Sequence, residues 1–187
     1  MKKINQLNEY RNEINLIYFA NDNSKYNIFG YKFVKNNNNN IELIINGENY
    51  ELVAKYILKK GKNIITLLIK NKLTNLSYMF YECYNLKDIS KLKYLNVNEI
   101  KDFSYMFLKC SSLSDIKPLQ NWNVSNCNNF SGMFMECSSL SDVTPLQNWN
   151  VSNGKEFYGM FAGCLSLSDT KPLQNWKYFE VMFDYDN

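Results

Sequence analysis

The chain has 187 residues, 45% of them hydrophobic and 21% charged, with a formal net charge of +3. That balance reads as globular, and a chain of this size buries enough apolar surface to fold without disulfide or metal staples. It contains no histidine, which removes Ser-His and Cys-His nucleophile pairs and every His-containing metal site, and no run approaches the ~18 apolar residues of a membrane span.

From the N-terminus, Met1-Lys2-Lys3-Ile4 is basic, but Glu9, Arg11 and Glu13 interrupt before the short apolar run Ile14–Ala20. No secretory signal is expected. The chain as written reads as cytoplasmic, with a cell-surface location only if a signal is missing from it. Short β-rich runs come next: Glu13–Phe19, Tyr26–Val34, Ile41–Ile45, Tyr50–Ala54 and Ile64–Ile69. Asn46-Gly47 sits where a two-residue hairpin turn belongs. Asn36–Asn40 reads as a loop, and the segment 51–60, ending before Gly61, as a short helix. Residues 1–72 thus form an expected β-rich cap domain, with Ile64–Ile69 covering the open end of the second half. This first half carries a formal +6 against −3 for residues 73–187. Its excess gathers in Lys55, Lys59, Lys60, Lys62, Lys70 and Lys72. Such a patch suits nucleic acid or an acidic membrane surface, although a solvated face is the commoner meaning and no recognised nucleic-acid motif accompanies it.

Residues 73–187 carry a 27-residue period. The phrase F-x-x-M-F-x-x-C-x-x-L-x-D recurs at Phe103–Asp115, Phe130–Asp142 and Phe157–Asp169, with a looser copy at Leu76–Asp88. A fixed period of this size predicts a solenoid, each unit burying its apolar face against its neighbours. Phe130, Met133, Phe134 and Cys137 stand at i, i+3, i+4 and i+7, the stripe of a short helix weakened by Gly132. Leu140 to Val143 suits a short strand, parallel to its copies and closed by Pro145. Trp122, Trp149 and Trp176 form a column, with Leu95 in the same place in the first unit. The last unit is shortened, so self-association through the C-terminal rung is a further expectation.

Three polar columns bear on chemistry. Cys83, Cys110, Cys137 and Cys164 lie 27 apart. A row cannot surround one tetrahedral ion, so they read as buried small hydrophobes, leaving Cys127 as the expected exposed thiol. Asp88, Asp115, Asp142 and Asp169 run beside Ser90, Lys117, Thr144 and Lys171. They form either a polar binding strip for a basic peptide or a cation, or a row of carboxylates that fix local turns. Asn96, Asn123 and Asn150 suggest an internal asparagine ladder. No cofactor or metal is implied, and no enzyme is expected.

The full phrase, continuing D-[IVT]-x-P-L-x-N-W-N-V-S-N, resembles the BspA-type leucine-rich repeat, in the Met-Phe-rich variety of mycoplasma-type surface lipoproteins and protist repeat proteins. The resemblance covers residues 76–183. It implies an α/β repeat: a leucine-rich-repeat-like solenoid of about four units with short parallel strands and short helices, behind the small β-rich cap. It also implies protein–protein contact. The expected function is therefore a non-enzymatic interaction or scaffold module. It would bind an unidentified protein through the strand face at Asp115, Lys117, Asp142, Thr144, Asp169 and Lys171. A surface adhesin, and a nucleic-acid or membrane-surface binder using Lys55–Lys72, are the alternatives.

Overall fold

The computed structural model describes residues 12–185; Met1–Ile4, Asp186 and Asn187 lie outside them. The first half begins as the residue pattern suggests. Strand β1 (Asn12–Ala20) alternates, with Ile14, Leu16, Tyr18 and Ala20 buried, the period-2 signature of a strand with one face in the core. It pairs antiparallel with β6 (Gly61–Ile69), from Asn12↔Ile69 to Ala20↔Gly61. On the other edge of β6 lies β3 (Ile41–Ile45), which turns through Asn46-Gly47 into β4 (Glu48–Glu51). Asn46 and Gly47 both have positive φ, 52° and 92°, as a two-residue hairpin turn matched to strand twist requires.

Two local expectations fail here. The run Tyr26–Val34 is not one strand. It splits into β2 (Lys25–Asn27), which pairs with β5 (Lys55–Ile57), and helix α1 (Tyr31–Asn37), which takes in the start of the asparagine run. The helix expected over 51–60 is absent, because this segment instead supplies β5 and buries Leu52 and Leu58 on either side of it. Gly30 sets where α1 starts. Its N–H donates to the Met79 carbonyl (3.0 Å), and a Cβ there would stand 2.1 Å from the Tyr78 carbonyl oxygen. Only glycine allows that approach.

The leucine-rich-repeat-like solenoid of short parallel strands and short helices is not formed. Both sheets are antiparallel: one of five strands in the order β4-β3-β6-β1-β7, and one of β2 and β5. Of the strands expected in each unit only β7 (Leu86–Asp88) exists, and it pairs antiparallel with β1. Parallel contact survives as isolated bridges, Asn75↔Asp102, Asp102↔Asn129 and Asn129↔Glu156. The strand expected at 140–143 is irregular backbone leading into a 3-10 turn at Thr144–Leu146, one of a series with Lys117–Leu119 and Lys171–Leu173. Nor does Ile64–Ile69 close the end of the repeats; β1, lying between β6 and β7, does so.

The helical stripe fails because of the backbone. Tyr78, Glu82, Tyr105, Lys109, Gly132, Glu136, Gly159 and Gly163 all have positive φ, between 56° and 72°. A left-handed residue every four positions cannot continue an α-helix. Each phrase is instead a run of i→i+3 turns, as in Met133 N–H to Phe130 O (3.1 Å) and Cys137 N–H to Phe134 O (3.0 Å). The alternate N–H groups point along the stack. Phe130, Gly132, Phe134 and Glu136 donate to Glu156, Tyr158, Met160 and Ala162 at 2.7–2.9 Å. The same apolar residues that would line a helix thereby line the inside of a turn-built layer.

Aromatic columns fill the space between layers. Phe80, Phe107, Phe134, Phe161 and Phe183 succeed one another with ring centroids 5.3–5.9 Å apart. Trp122 and Trp149 stack at 6.4 Å, and their Nε1–H groups donate to Leu92 O (2.9 Å) and Leu119 O (3.0 Å). One apolar cluster runs from Ile14 to Met182 through both halves.

Candidate functional site

The strip Asp115, Lys117, Asp142, Thr144, Asp169 and Lys171 is exposed. Each aspartate closes a turn with the residue two positions on. Asp115 Oδ1 accepts the Lys117 N–H (2.9 Å), Asp142 the Thr144 N–H (2.8 Å) and Asp169 the Lys171 N–H (3.0 Å). Asp88 does the same for Ser90. These bonds satisfy donors at the start of the 3-10 turns. The Thr144 hydroxyl and then its N–H hold Asp142 below the usual carboxylate range. Lys117, Asp142 and Thr144 meet in an open polar furrow of about 270 Å³ with Gln120 and Gln147. Asp169 and Lys171 are not part of it.

The asparagine ladder falls one column away from its expected place. Asn96, Asn123 and Asn150 are exposed and accept local N–H groups, from Asn98, Ser125 and Ser152, with the Ser125 hydroxyl also donating to Asn123. Asn126 and Asn153 bridge the units, each Nδ2 donating at 2.8 Å to a carbonyl 28 residues back. The lysine patch is divided. Lys70 pairs with Glu42 and Lys72 with Glu99 (3.1 Å), while Lys55, Lys59, Lys60 and Lys62 are exposed.

All five thiols are buried, Cys127 included. Its Sγ lies 3.3 Å from both Lys101 O and Asn129 O, and burial pushes its pKa up to about 12. In the column, Cys110, Cys137 and Cys164 each donate at 3.1 Å to a carbonyl 30 residues back. Buried neutral thiols are inert as nucleophiles.

A second surface concavity is a tyrosine groove of about 380 Å³, lined by Tyr31, Lys32, Tyr78, Tyr81, Tyr105 and Leu108. The Tyr78 and Tyr105 rings meet at 5.1 Å, tilted by 31°, and Tyr78 meets Tyr81 at 5.6 Å, tilted by 44°. Lys32, carried by α1, sets its ammonium 4.2 Å from the Tyr78 ring centre and 3.2 Å from its hydroxyl. Tyr31 beside it is 75% exposed. Partial burial pushes the Tyr81 phenol up, so Tyr81 offers a neutral hydroxyl at physiological pH. Tyr78 and Tyr105 occupy the left-handed positions, φ 58° and 56°, that glycine fills at 132 and 159, φ 59° and 60°. The Tyr105 ring lies over Gly132, where a Cβ would come within 2.5 Å of it. Reading the sequence by columns misses this site, although the signal is present: one repeat position is tyrosine in the first two units and glycine in the next two, residues that agree in neither size nor backbone preference.

Among the described residues, no helix is long and apolar enough to cross a membrane. No curated protein and no solved structure matches the chain. One family model does, over residues 62–185, from strand β6 through the last turn. Its description names no leucine-rich repeat. With more than half its length matched, the chain belongs to the family described as Mycoplasma protein of unknown function, DUF285.

Proposed function

We propose that the protein is a non-enzymatic protein-binding module whose docking surface is the tyrosine groove, and that it takes an extended, proline-rich segment. The observation that carries this reading is the backbone at Tyr78 and Tyr105. A left-handed non-glycine residue costs on the order of 1–2 kcal/mol, and two later units avoid that cost with glycine at the same place. Strained positions of this kind cluster at ligand clamps. Here the strained positions carry two neighbouring tyrosine rings that line the groove. Aromatic-lined grooves accept proline rings, and polyproline II segments have free carbonyls for tyrosine hydroxyls to bond. Lys32 adds a cation at the rim, so a segment with an acidic residue beside its prolines is favoured.

The test is fluorescence anisotropy with a labelled decaproline peptide bearing one flanking aspartate. Wild type is compared with the Tyr78→Gly/Tyr105→Gly double variant, whose glycines keep the backbone conformation. The expected result is binding by wild type and a loss of at least about tenfold, or about 1.4 kcal/mol, in a variant with an unchanged circular dichroism spectrum. No binding by wild type, or equal binding by both, sinks the reading. The polar furrow at Lys117, Asp142 and Thr144 is the second surface, favoured by its concavity. Reversing Asp115, Asp142 and Asp169 to lysine should leave peptide binding unchanged if the tyrosine groove is the site.

A further inference from the structure

The tryptophan column lacks its first member. Trp122, Trp149 and Trp176 recur at 27-residue spacing, and the position before them holds Leu95. In the later layers the indole fills its space to the surface: Trp122 is 6% exposed, Trp149 5% and Trp176 8%. Leucine is shorter and has no ring. Against Leu95 lies a concavity of about 250 Å³, walled by Ile69, Leu73 and Leu95 and rimmed by Asn71, Lys72, Asn96 and Glu99. The three apolar walls are 4–6% exposed, so they offer a narrow apolar floor beneath a polar rim. At the rim, Lys72 Nζ stands 3.1 Å from Glu99 Oε1. The site is therefore a small slot with a narrow apolar floor and one cation and one anion side by side at its mouth.

We propose that this slot binds a free aromatic amino acid, tryptophan fitting best. The size argues for a single ring system, since the slot is smaller than the roughly 300–1,000 Å³ of sites that take drug-sized ligands. The shape argues for an indole, because the fold places indoles at the equivalent position of three other units. The charges argue for a zwitterion. An α-carboxylate lies against Lys72 and an α-ammonium against Glu99, and the ligand's two charges replace the ion pair's own contact with two charge-assisted hydrogen bonds. A neutral aromatic ligand would have to leave that pair intact and gains nothing from it. The slot lies at Leu95, apart from every residue of the tyrosine groove, so the two proposals stand or fall separately.

Isothermal titration calorimetry on the whole chain tests it, with L-tryptophan and the uncharged N-acetyl-L-tryptophanamide as probes. Wild type should bind L-tryptophan at least about tenfold more tightly than the amide, as the loss of charge-assisted bonds implies. Leu95→Trp fills the slot with the column's own side chain and should abolish binding while keeping the fold. The Lys72→Met/Glu99→Gln double variant leaves net charge unchanged and should bind the two probes alike. The proposal is overturned if wild type binds neither probe up to millimolar concentration, if it binds both equally, or if a folded Leu95→Trp protein still binds with wild-type affinity. Should Leu95→Trp fail to fold, the double variant decides: retained discrimination between the probes overturns the proposal.

Discussion

The thiols show how far single residues can be read. Four cysteines at 27-residue spacing fall where each unit is apolar, and burial as small hydrophobes is implied by that spacing alone. Cys127 stands outside the column, which suggests the surface. Its counterpart one unit earlier is Ile100, also buried, so alignment with a hydrophobe is the better guide than its isolation. Burial pushes the pKa of Cys127 and Cys164 up to about 12 and raises those of Cys83, Cys110 and Cys137 as well. An unfolded thiol titrates at about pH 8.5. Above that pH the unfolded chain gives up protons that the folded protein keeps, so stability is full below about pH 8.5 and falls as pH rises toward 12. Each such thiol steepens the fall by up to about 1.4 kcal/mol per pH unit. Urea denaturation between pH 7 and 10 should show this decline, and Cys127→Ala should make it shallower. An unchanged slope would mean that this thiol already titrates freely in the folded state.

At the scale of elements, the alternating strands were legible and the repeat elements were not. In β1 and β3 local pattern and final structure agree, because a period of two has one common interpretation. In the repeats the i, i+3, i+4, i+7 pattern has two. A helix satisfies its N–H groups within the segment; these layers give every second N–H to the next unit. The deciding residues are Tyr78, Glu82, Tyr105, Lys109 and Glu136, which nothing in their local sequence marks as left-handed. The aspartates likewise admit two readings from sequence, and in the fold they hold local turns at 2.8–3.0 Å. Stacking, in contrast, predicts a measurable cost within one column. Trp149→Phe keeps an aromatic ring against Trp122 but removes the Nε1–H bond to Leu119 O, which also accepts the Trp122 N–H. The expected loss is about 1–2 kcal/mol, from one net hydrogen bond and some lost packing, read as a lower urea midpoint at unchanged m-value. A loss under about 0.5 kcal/mol would mean that the indole N–H contributes nothing to the column.

Across the whole molecule, the two halves share one core. Leu86 of the first unit pairs with Tyr18 in β1, the Tyr18 hydroxyl donates to Ile28 O, and Gly30 meets Met79. The tryptophans all lie beyond residue 120, whereas the regular sheet lies almost entirely before residue 70. Tryptophan fluorescence and far-ultraviolet circular dichroism therefore report on opposite ends. Because one apolar cluster connects them, the two probes should give coincident urea transitions with a single midpoint. Separate midpoints would show that the halves unfold independently.

By itself the sequence determined the period, the identity of the inward columns and the alternating strands of the first half, since each of these depends only on which residues are apolar and how they are spaced. It also contained the Asn46-Gly47 turn, whose backbone few other residues adopt. The tertiary structure decided where the backbone hydrogen bonds go. An apolar stripe states which side faces inward but not whether an N–H is satisfied within its own segment or by the next unit. That choice replaced helices and parallel strands with layers of turns, brought β1 rather than β6 onto the first unit, and set Tyr31 and Lys32 of α1 against Tyr78 and Tyr105. It also left Leu95 beside an unfilled slot, because whether a smaller side chain leaves space depends on what the neighbouring chain does around it.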